Sequence, residues 1–342
     1  MKKGLLVLAY LLIACAASAV GGPLIADHSS TDISRIPAYW IEKAKTDLRV
    51  TYGHTSHGSQ IVTGMSMLKS NAPYSSLLDY KDDYNDHILP AGALSFWDAQ
   101  ITGASDLGYP DRTAWAQATR VHLNGSGSNR NVVMWSWCGQ VSTATQADIN
   151  TYLSRMDGLE RDYPNVKFVY MTGHLDGTGE TGNLYQRNEQ IRQYCRSNNK
   201  SLYDFADIES WDPAGNYYPD ESDACGWCSS WCSAHGCPAE VSCAHSHCFN
   251  CYNKGKAFWH LMARLAGWNG EYSSTTTTTS TTITTTTTQA TTTTSTVACL
   301  EKGNNPPCGE ITLQEVVDTI NQWITGDYTL QEVIGLINAW AA

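Results

Sequence analysis

A serine and two histidines follow a short apolar segment near the start of the chain. Residues 48–52 have the pattern of a buried strand, and His54, Ser56, His57 and Gly58 lie between it and an apolar helix start. A serine hydroxyl attacks a carbonyl group only when a base takes its proton and donors stabilise the developing oxyanion. The free backbone amides of a helix start are such donors. Ser56 is therefore a candidate nucleophile, and the alternative is a serine that caps the helix.

Polar residues also follow three further segments with the pattern of buried strands, at residues 132–137, 166–171 and 202–205. The candidates in these positions are Gly139, His174, Asn183 and Asp207, and the last helical pattern is preceded by His245 and His247. Helical spacing of apolar residues is present at residues 146–163, 183–198 and 253–265. This alternation predicts an α/β domain with a mostly parallel sheet, whose functional residues gather at the carboxyl ends of the strands.

The order of these residues resembles that of the SGNH (GDSL-type) hydrolases, which are secreted esterases with a flavodoxin-like three-layer α/β/α fold. The resemblance covers residues 46–268 and implies an enzyme domain over residues 24–272. It implies that Ser56 is the nucleophile and that Gly139 contributes to the oxyanion hole. It also implies that His245 or His247 is the base, and that no cofactor is needed.

The chain departs from the family pattern at two of these positions. Residues 54–56 are His-Thr-Ser where the family has Gly-Asp-Ser, and His174 stands where the family has an asparagine. His57 and His174 are expected to bind substrate or to donate to the oxyanion. The other candidates for substrate binding are His54, Gly58 and Asn183.

The carboxylate that would orient the base is displaced from its usual place in the family pattern. Ser242 and Ala244 stand three residues before the two candidate histidines, where the family has an aspartate. The orienting carboxylate is therefore expected to come from elsewhere in the chain, from Asp207 or Asp223.

The histidines also permit a metal site. His54 and His57, together with His174 and His245 or His247, would suit zinc with one coordination position left open for water. A histidine-ligated metallohydrolase is therefore a second interpretation of the same residues.

Seven cysteines fall within residues 225–251. Two Cys-x-x-Cys pairs in this cluster have the spacing of a zinc ribbon, but disulfides are favoured if the protein is secreted. Cys138 and Cys195 bring the cysteines of the main domain to nine. This odd number leaves one thiol free, bound to a metal or paired between chains. The cluster is expected to hold a long loop that carries His245 and His247 to the sheet edge.

The N-terminus has the pattern of a secretory signal peptide over residues 1–19. Lys2 and Lys3 precede an apolar run at residues 5–14, and small residues lead to a cleavage site after Ala19. The alternative is a lipobox that would leave Cys15 lipidated. Both interpretations predict a secreted or cell-surface protein.

Residues 273–297 are a predicted linker, since from Thr275 to Thr296 the chain is threonine apart from five residues, a composition typical of an extended, solvated tether. Beyond it, residues 312–323 recur in similar form as residues 329–340, each copy with a Thr-x-x-Glu capping box and apolar residues at helical spacing. This repeat predicts a small helical hairpin over residues 298–342.

The hairpin resembles a degenerate dockerin, a module that docks secreted enzymes onto cohesin-like partners. The resemblance implies calcium ligands at Asn304, Glu310 and Glu315, but Pro306 and Cys308 replace two oxygen ligands of the calcium loop. The alternative is a surface-retention or oligomerisation hairpin without calcium.

The net charge and the composition limit the classes of molecule that the protein is expected to bind. The net charge is −11, whereas a nucleic-acid binder needs a concentrated basic face. The expected function is a secreted esterase that removes acyl groups from an extracellular polysaccharide; the alternative is a non-catalytic glycan-binding or adhesion protein. Candidate sugar-stacking residues are Trp97, Trp115, Trp135 and Trp137, unless they lie in the core.

Overall fold

The structure, a computed structural model, describes residues 22–83, 90–98, 101–238 and 240–270. The predicted signal peptide, the threonine-rich linker and the helical hairpin, with its candidate calcium ligands, lie outside these residues.

A seven-stranded sheet forms the centre of the described chain. Its strands are β1 (Leu24–Ala26), β2 (Arg49–Gly53), β3 (Tyr80–Asp82), β4 (Leu94–Asp98), β5 (Val132–Trp135), β6 (Lys167–Met171) and β7 (Ser201–Tyr203). All neighbouring strands pair in parallel, in the order β1-β7-β6-β5-β2-β4-β3. The five central strands, β4-β2-β5-β6-β7, follow the flavodoxin-like order.

Eight α-helices connect or follow these strands in the described residues. They are α1 (Ala38–Asp47), α2 (Ser59–Lys69), α3 (Ala114–Leu123), α4 (Gln146–Asp162), α5 (Asn183–Ser197), α6 (Phe205–Ser210), α7 (Gly226–His235) and α8 (Cys248–Leu265). Among the helices of the described chain, none is both long and apolar enough to cross a membrane.

Successive strand residues bury their side chains on opposite faces of the sheet. Val132 and Met134 pack in a core with α1, α2, α6 and α8, whereas Val133 and Trp135 pack in a second core with α3, α4 and α5. The three-layer α/β/α fold is therefore confirmed. The tryptophans considered for sugar stacking are all buried in the interior, which excludes that role: Trp97, Trp115, Trp135 and Trp137.

Local hydrogen bonds explain where the observed elements depart from the predicted bounds. The segment predicted to end at Phe205 stops at Tyr203, because Asp204 caps the next helix through the backbone N–H of Asp207. The last helix begins at Cys248 rather than at residue 253, because the His247 ring accepts a hydrogen bond from the N–H of Phe249. Strands β1, β3 and β4 were not predicted.

Six of the seven clustered cysteines form disulfides. The pairs are Cys225–Cys228, Cys232–Cys237 and Cys243–Cys251. The disulfide interpretation of the cluster is confirmed. With six cysteines paired, the cluster no longer has the four thiolates that a zinc ribbon needs. Within the described chain three thiols are free rather than the single one expected from counting: Cys138, Cys195 and Cys248.

Helices α2 and α8 touch through their backbones. A Cβ atom on Gly64 of α2 would overlap the carbonyl oxygen of Cys251, and one on Gly255 of α8 would overlap the backbone of Gly64. This close approach brings Lys254 of α8 within reach of Gln60 of α2. The packing of the two helices therefore requires the two glycines.

We expect Gly64→Ala to destabilise the protein, because the added methyl group meets a carbonyl oxygen that is fixed in a helix. The free energy of unfolding should fall by about 3 kcal/mol, at the upper end for overpacking, in urea denaturation followed by circular dichroism. Gly158→Ala in α4 is the matched control. A Cβ there meets only the ends of two flexible side chains, those of Arg120 and Arg161, so the gain in helix propensity of up to about 1 kcal/mol should outweigh any crowding. Equal stability of the two variants would contradict the proposed helix contact.

Candidate functional site

Three neighbouring strands deliver chemically active side chains to one edge of the sheet. His57 follows β2 in a short helical turn (Ser56–Gly58), Cys138 follows β5, and His174 follows β6. Because parallel strands end at the same edge, these residues lie together. The long segment between α6 and α8 adds Asp223 and His245.

Cys138, His57 and Asp223 form a continuous chain of polar contacts. The Sγ atom of Cys138 lies 3.2 Å from Nδ1 of His57. The Nε2 atom of the same ring lies 3.2 Å from Oδ2 of Asp223, and both side chains are 14% exposed. A histidine that contacts a nucleophile through one nitrogen and a carboxylate through the other is the arrangement of a catalytic triad.

The electrostatics of the contacts between Cys138, His57 and Asp223 favour a thiolate beside an imidazolium. Burial alone would raise the pKa of Cys138, but its contacts with Ser56, His57 and Thr55 outweigh burial and lower that pKa below its ordinary value. Burial alone would lower the pKa of His57, but Asp223 and Cys138 outweigh it and raise that pKa. The ion pair thus stabilises the nucleophilic form of the thiol.

The imidazole rings of three histidines stack in a column with His57 in the centre. The ring centroids of His57 and His174 are 3.9 Å apart with an angle of 2° between the planes. Those of His57 and His245 are 4.2 Å apart at 14°. The column covers both faces of the His57 ring and leaves its two nitrogens directed at Cys138 and Asp223.

His174 has a defined tautomer. Its Nδ1 lies 2.7 Å from the carbonyl oxygen of Leu175, and only a protonated nitrogen can donate to a carbonyl. In the neutral ring the lone pair is therefore on Nε2. Ligand atoms of His57, His174 and Asp223 all lie within 4.8 Å of one another, but the rings of the two histidines are parallel, so their in-plane lone pairs do not converge on one point.

A buried lysine links the segments that carry the histidines. The Nζ atom of Lys254 contacts Oε1 of Glu209 and Oε1 of Gln60, and the lysine and glutamate side chains are fully buried. Glu209 accepts a hydrogen bond from the N–H of Leu175 at 2.7 Å, next to His174. Gln60 donates to the carbonyl of Ala244 at 2.6 Å, next to His245.

Ser56 lies at the site, but its hydroxyl contacts a thiol rather than a base. Its Oγ is 3.6 Å from Sγ of Cys138, and no hydrogen bond joins it to a histidine within the described ranges. Gly139 follows Cys138 directly, and a Cβ there would lie 3.8 Å from Nε2 of His174. Gly58 serves packing, because a Cβ would overlap Ser136 and His54.

Four predicted residues are engaged elsewhere. His54 pairs with Asp98 at 2.7 Å, and the ring of His247 caps α8. The Asn183 amide donates to the carbonyls of Ser142 and Ala144. Asp207 pairs with His28 at 2.5 Å. Of the two expected carboxylates it is therefore Asp223 that contacts a histidine of the site, and this histidine is His57 rather than either expected base, His245 or His247.

Cys138 is not among the nucleophiles that the sequence suggests. The position of Cys138 in the sequence was nevertheless a signal for such a role. It lies outside the cysteine cluster and directly follows a buried strand. Cysteine pairing is a property of the folded chain, so counting left open which thiol is free.

Comparisons of the chain with protein-family models, with curated proteins and with solved structures give no match. The resemblances to SGNH hydrolases and to dockerins therefore remain predictions from the sequence.

We expect iodoacetamide to alkylate Cys138 faster than the other free thiols. The thiolate reacts, and its fraction rises as the pH passes through the pKa of Cys138, which is lowered. The rate should therefore level off at a lower pH than for an ordinary cysteine. Cys195 is the internal control, because burial raises its pKa.

His57→Gln should shift this alkylation profile of Cys138 to higher pH, because the imidazolium that stabilises the thiolate is lost. Peptide mapping by mass spectrometry gives the rate at each thiol. An unchanged profile in the variant would contradict the ion pair.

Proposed function

We propose that the protein is an acyl hydrolase with Cys138 as nucleophile, His57 as acid and base, and Asp223 as the orienting carboxylate. One observation carries this proposal: His57 lies between the thiol and the carboxylate and contacts each through a different ring nitrogen. The lowered pKa of Cys138 and the raised pKa of His57 support it.

The reaction proceeds in two steps in this proposal. The Cys138 thiolate attacks the carbonyl carbon of an ester, and the carbonyl electrons move to oxygen. When the intermediate collapses, the C–O bond breaks and Nδ1 of the His57 imidazolium gives its proton to the leaving alkoxide. Water then attacks the thioester while the neutral His57 takes one of its protons. When this second intermediate collapses, the C–S bond breaks, the thiolate–imidazolium pair is restored, and the carboxylic acid leaves and loses its proton to solvent.

In this proposal Ser56 and Gly139 act as hydrogen-bond donors that assist Cys138, and neither is a nucleophile. The Ser56 hydroxyl is positioned to donate to the thiolate, which lowers the pKa of Cys138. The backbone N–H of Gly139 is the proposed donor to the oxyanion. The serine mechanism implied by the family resemblance would instead need a base that reaches the Ser56 hydroxyl.

The proposed substrate is an acyl ester on an extracellular polysaccharide. This part rests on the sequence, namely on the signal peptide pattern, the threonine-rich linker and the dockerin-like repeat. Disulfides, which are typical of proteins outside the cytosol, are compatible with it.

Four variants separate the candidate nucleophiles by their hydrolysis of p-nitrophenyl acetate. Cys138→Ala and Cys138→Ser should each reduce kcat/KM by about a thousandfold or more, because no thiolate remains to form the thioester. Ser56→Ala should lose about tenfold, the worth of one donor to a charged group. Cys195→Ala, which removes a free thiol distant from the reaction, is the matched control and should keep its activity.

Two outcomes of this experiment would reject the proposal. Full activity in Cys138→Ala with none in Ser56→Ala would make Ser56 the nucleophile. The same background rate in the unaltered protein and in Cys138→Ala, for acetyl polysaccharides as well as for the chromogenic ester, would favour the non-catalytic glycan-binding alternative. Melting curves of each variant separate lost chemistry from lost folding.

A further inference from the structure

We propose that residues 243–251 form a thiol–disulfide exchange site, in which the free thiol of Cys248 attacks the disulfide between Cys243 and Cys251. The site then has two pairings. In the observed pairing Cys248 is free. In the second pairing Cys248 is joined to Cys251 and Cys243 is free. This proposal stands on the three cysteines and does not depend on the proposed hydrolase.

The free thiol and the disulfide are packed against each other. Cys248 and Cys251 lie in one buried cluster with Met67, and Cys243 packs against the same cluster. Cys248 is 5% exposed and Cys251 is fully buried, so thiols in solution are kept away from this sulfur of the disulfide. A thiol that is held beside a disulfide has a high effective concentration there, which favours exchange within the chain.

The second pairing fits the start of helix α8. Cys248 and Cys251 are the first and fourth residues of this helix, and helix geometry places Cα atoms three residues apart at a distance of about 5 Å. Disulfides span Cα separations of roughly 4.4–6.8 Å. The chain already closes the same spacing at the start of α7, where the Cα atoms of Cys225 and Cys228 are 5.4 Å apart.

The thiol of Cys248 has a proton acceptor beside it. Its Sγ lies 3.8 Å from Nδ1 of His247, and this nitrogen carries a lone pair, because it accepts a hydrogen bond from the backbone N–H of Phe249. The thiolate is the form that attacks a disulfide. A helix start, where backbone N–H groups are free, suits a negatively charged sulfur.

The exchange needs neither an oxidant nor a reductant. The Cys248 thiolate attacks Sγ of Cys251, and a new S–S bond forms while the bond to Cys243 breaks. The electron pair of the broken bond stays on Sγ of Cys243, which takes up the proton that Cys248 has lost. The free thiol thereby moves from a buried position to the half-buried Cys243, where a reagent in solution reaches it.

The two pairings support His245 differently. In the observed pairing its backbone has a φ of 61°, a left-handed conformation that is strained in a residue other than glycine, and its ring stacks on His57. The bridge from Cys243 to α8 holds this segment together with the hydrogen bond from Gln60 to the carbonyl of Ala244. Exchange removes the bridge, so the His245 ring is held less firmly on His57.

The exchange is tested by trapping the thiol of Cys243 in the full chain. The native protein is incubated with iodoacetamide without reductant, the reaction is quenched with acid, and the peptides are mapped by mass spectrometry. Label should accumulate on Cys243, together with peptides joined by a disulfide between Cys248 and Cys251. In Cys248→Ser the label on Cys243 should fall at least about tenfold, because the intramolecular thiol is lost.

Cys195→Ala is the matched control for the trapping experiment. It removes a free thiol that is buried in the other core, with α3, α4 and α5, and should leave the labelling of Cys243 unchanged. The labelling rate should also be independent of protein concentration. Absence of label on Cys243 in the unaltered protein would overturn the proposal, and so would equal labelling in Cys248→Ser.

Cys243→Ser tests the second pairing without the exchange step. Cys248 and Cys251 should pair with each other in this variant, so that neither is alkylated after denaturation without reductant. Two free thiols at these positions would overturn the second pairing.

Hydrogen exchange tests the support of the His245 segment. The backbone amides of Ser246 and His247 are hydrogen-bonded in the observed pairing. They should exchange roughly tenfold faster in Cys243→Ser than in Cys248→Ser, because only the second variant keeps the bridge to α8. Equal rates in the two variants would contradict the loss of support.

Both tests read cysteine pairing and amide exchange rather than ester hydrolysis. Failure of the exchange would therefore be distinguished from failure of the proposed hydrolase.

Discussion

The ion pair between Lys254 and Glu209 is the interaction on which the site depends. Both side chains are fully buried, and the loss of one partner would leave a buried charge without compensation, at a cost of about 3–5 kcal/mol. The lysine also contacts Gln60 and lies over the ring of Phe205, 3.8 Å from its centroid. From this pair, hydrogen bonds extend to the backbone beside His174 and beside His245. One ammonium group thus fixes the relative positions of segments that are far apart in the sequence.

The glycine contact between α2 and α8 makes that pair possible. Larger residues at Gly64 or Gly255 would separate the helices, and Lys254 would then lose its reach to Gln60. The same helix α8 is joined to the His245 segment by the disulfide between Cys243 and Cys251. Covalent, packing and electrostatic constraints therefore act on one helix, so the histidine column is held by the core rather than by its own loops. A site held in this way loses little entropy when it binds a ligand.

The sequence predicted what depends on local pattern and left open what depends on pairing in space. Buried parallel strands are continuous apolar runs, and the four predicted segments correspond to β2, β5, β6 and β7. Strands β1 and β3 lie at the two edges of the sheet and have mostly half-buried or exposed residues, so they do not form such a run. That polar residues gather at the strand ends followed from the parallel sheet. The free state of Cys138 did not follow, because it is set by which cysteines pair. The choice between Asp207 and Asp223 was equally open, because the disulfide-rich segment has no regular spacing.

Histidine–carboxylate pairs alone do not identify the reactive centre, because the described chain contains three of them. His28 contacts Asp207 through Nδ1, and the Nδ1 of His54, which pairs with Asp98, lies beside a backbone carbonyl. Only the pair of His57 and Asp223 offers its other nitrogen to a thiol. Strand register accounts for this difference. Gly53 at the end of β2 is aligned with Trp135 at the end of β5, and His57 and Cys138 follow these residues at nearly equal distances along the chain. Adjacent parallel strands with matched ends therefore bring the imidazole to the sulfur, and the segment from α6 to α8 has only to add the carboxylate.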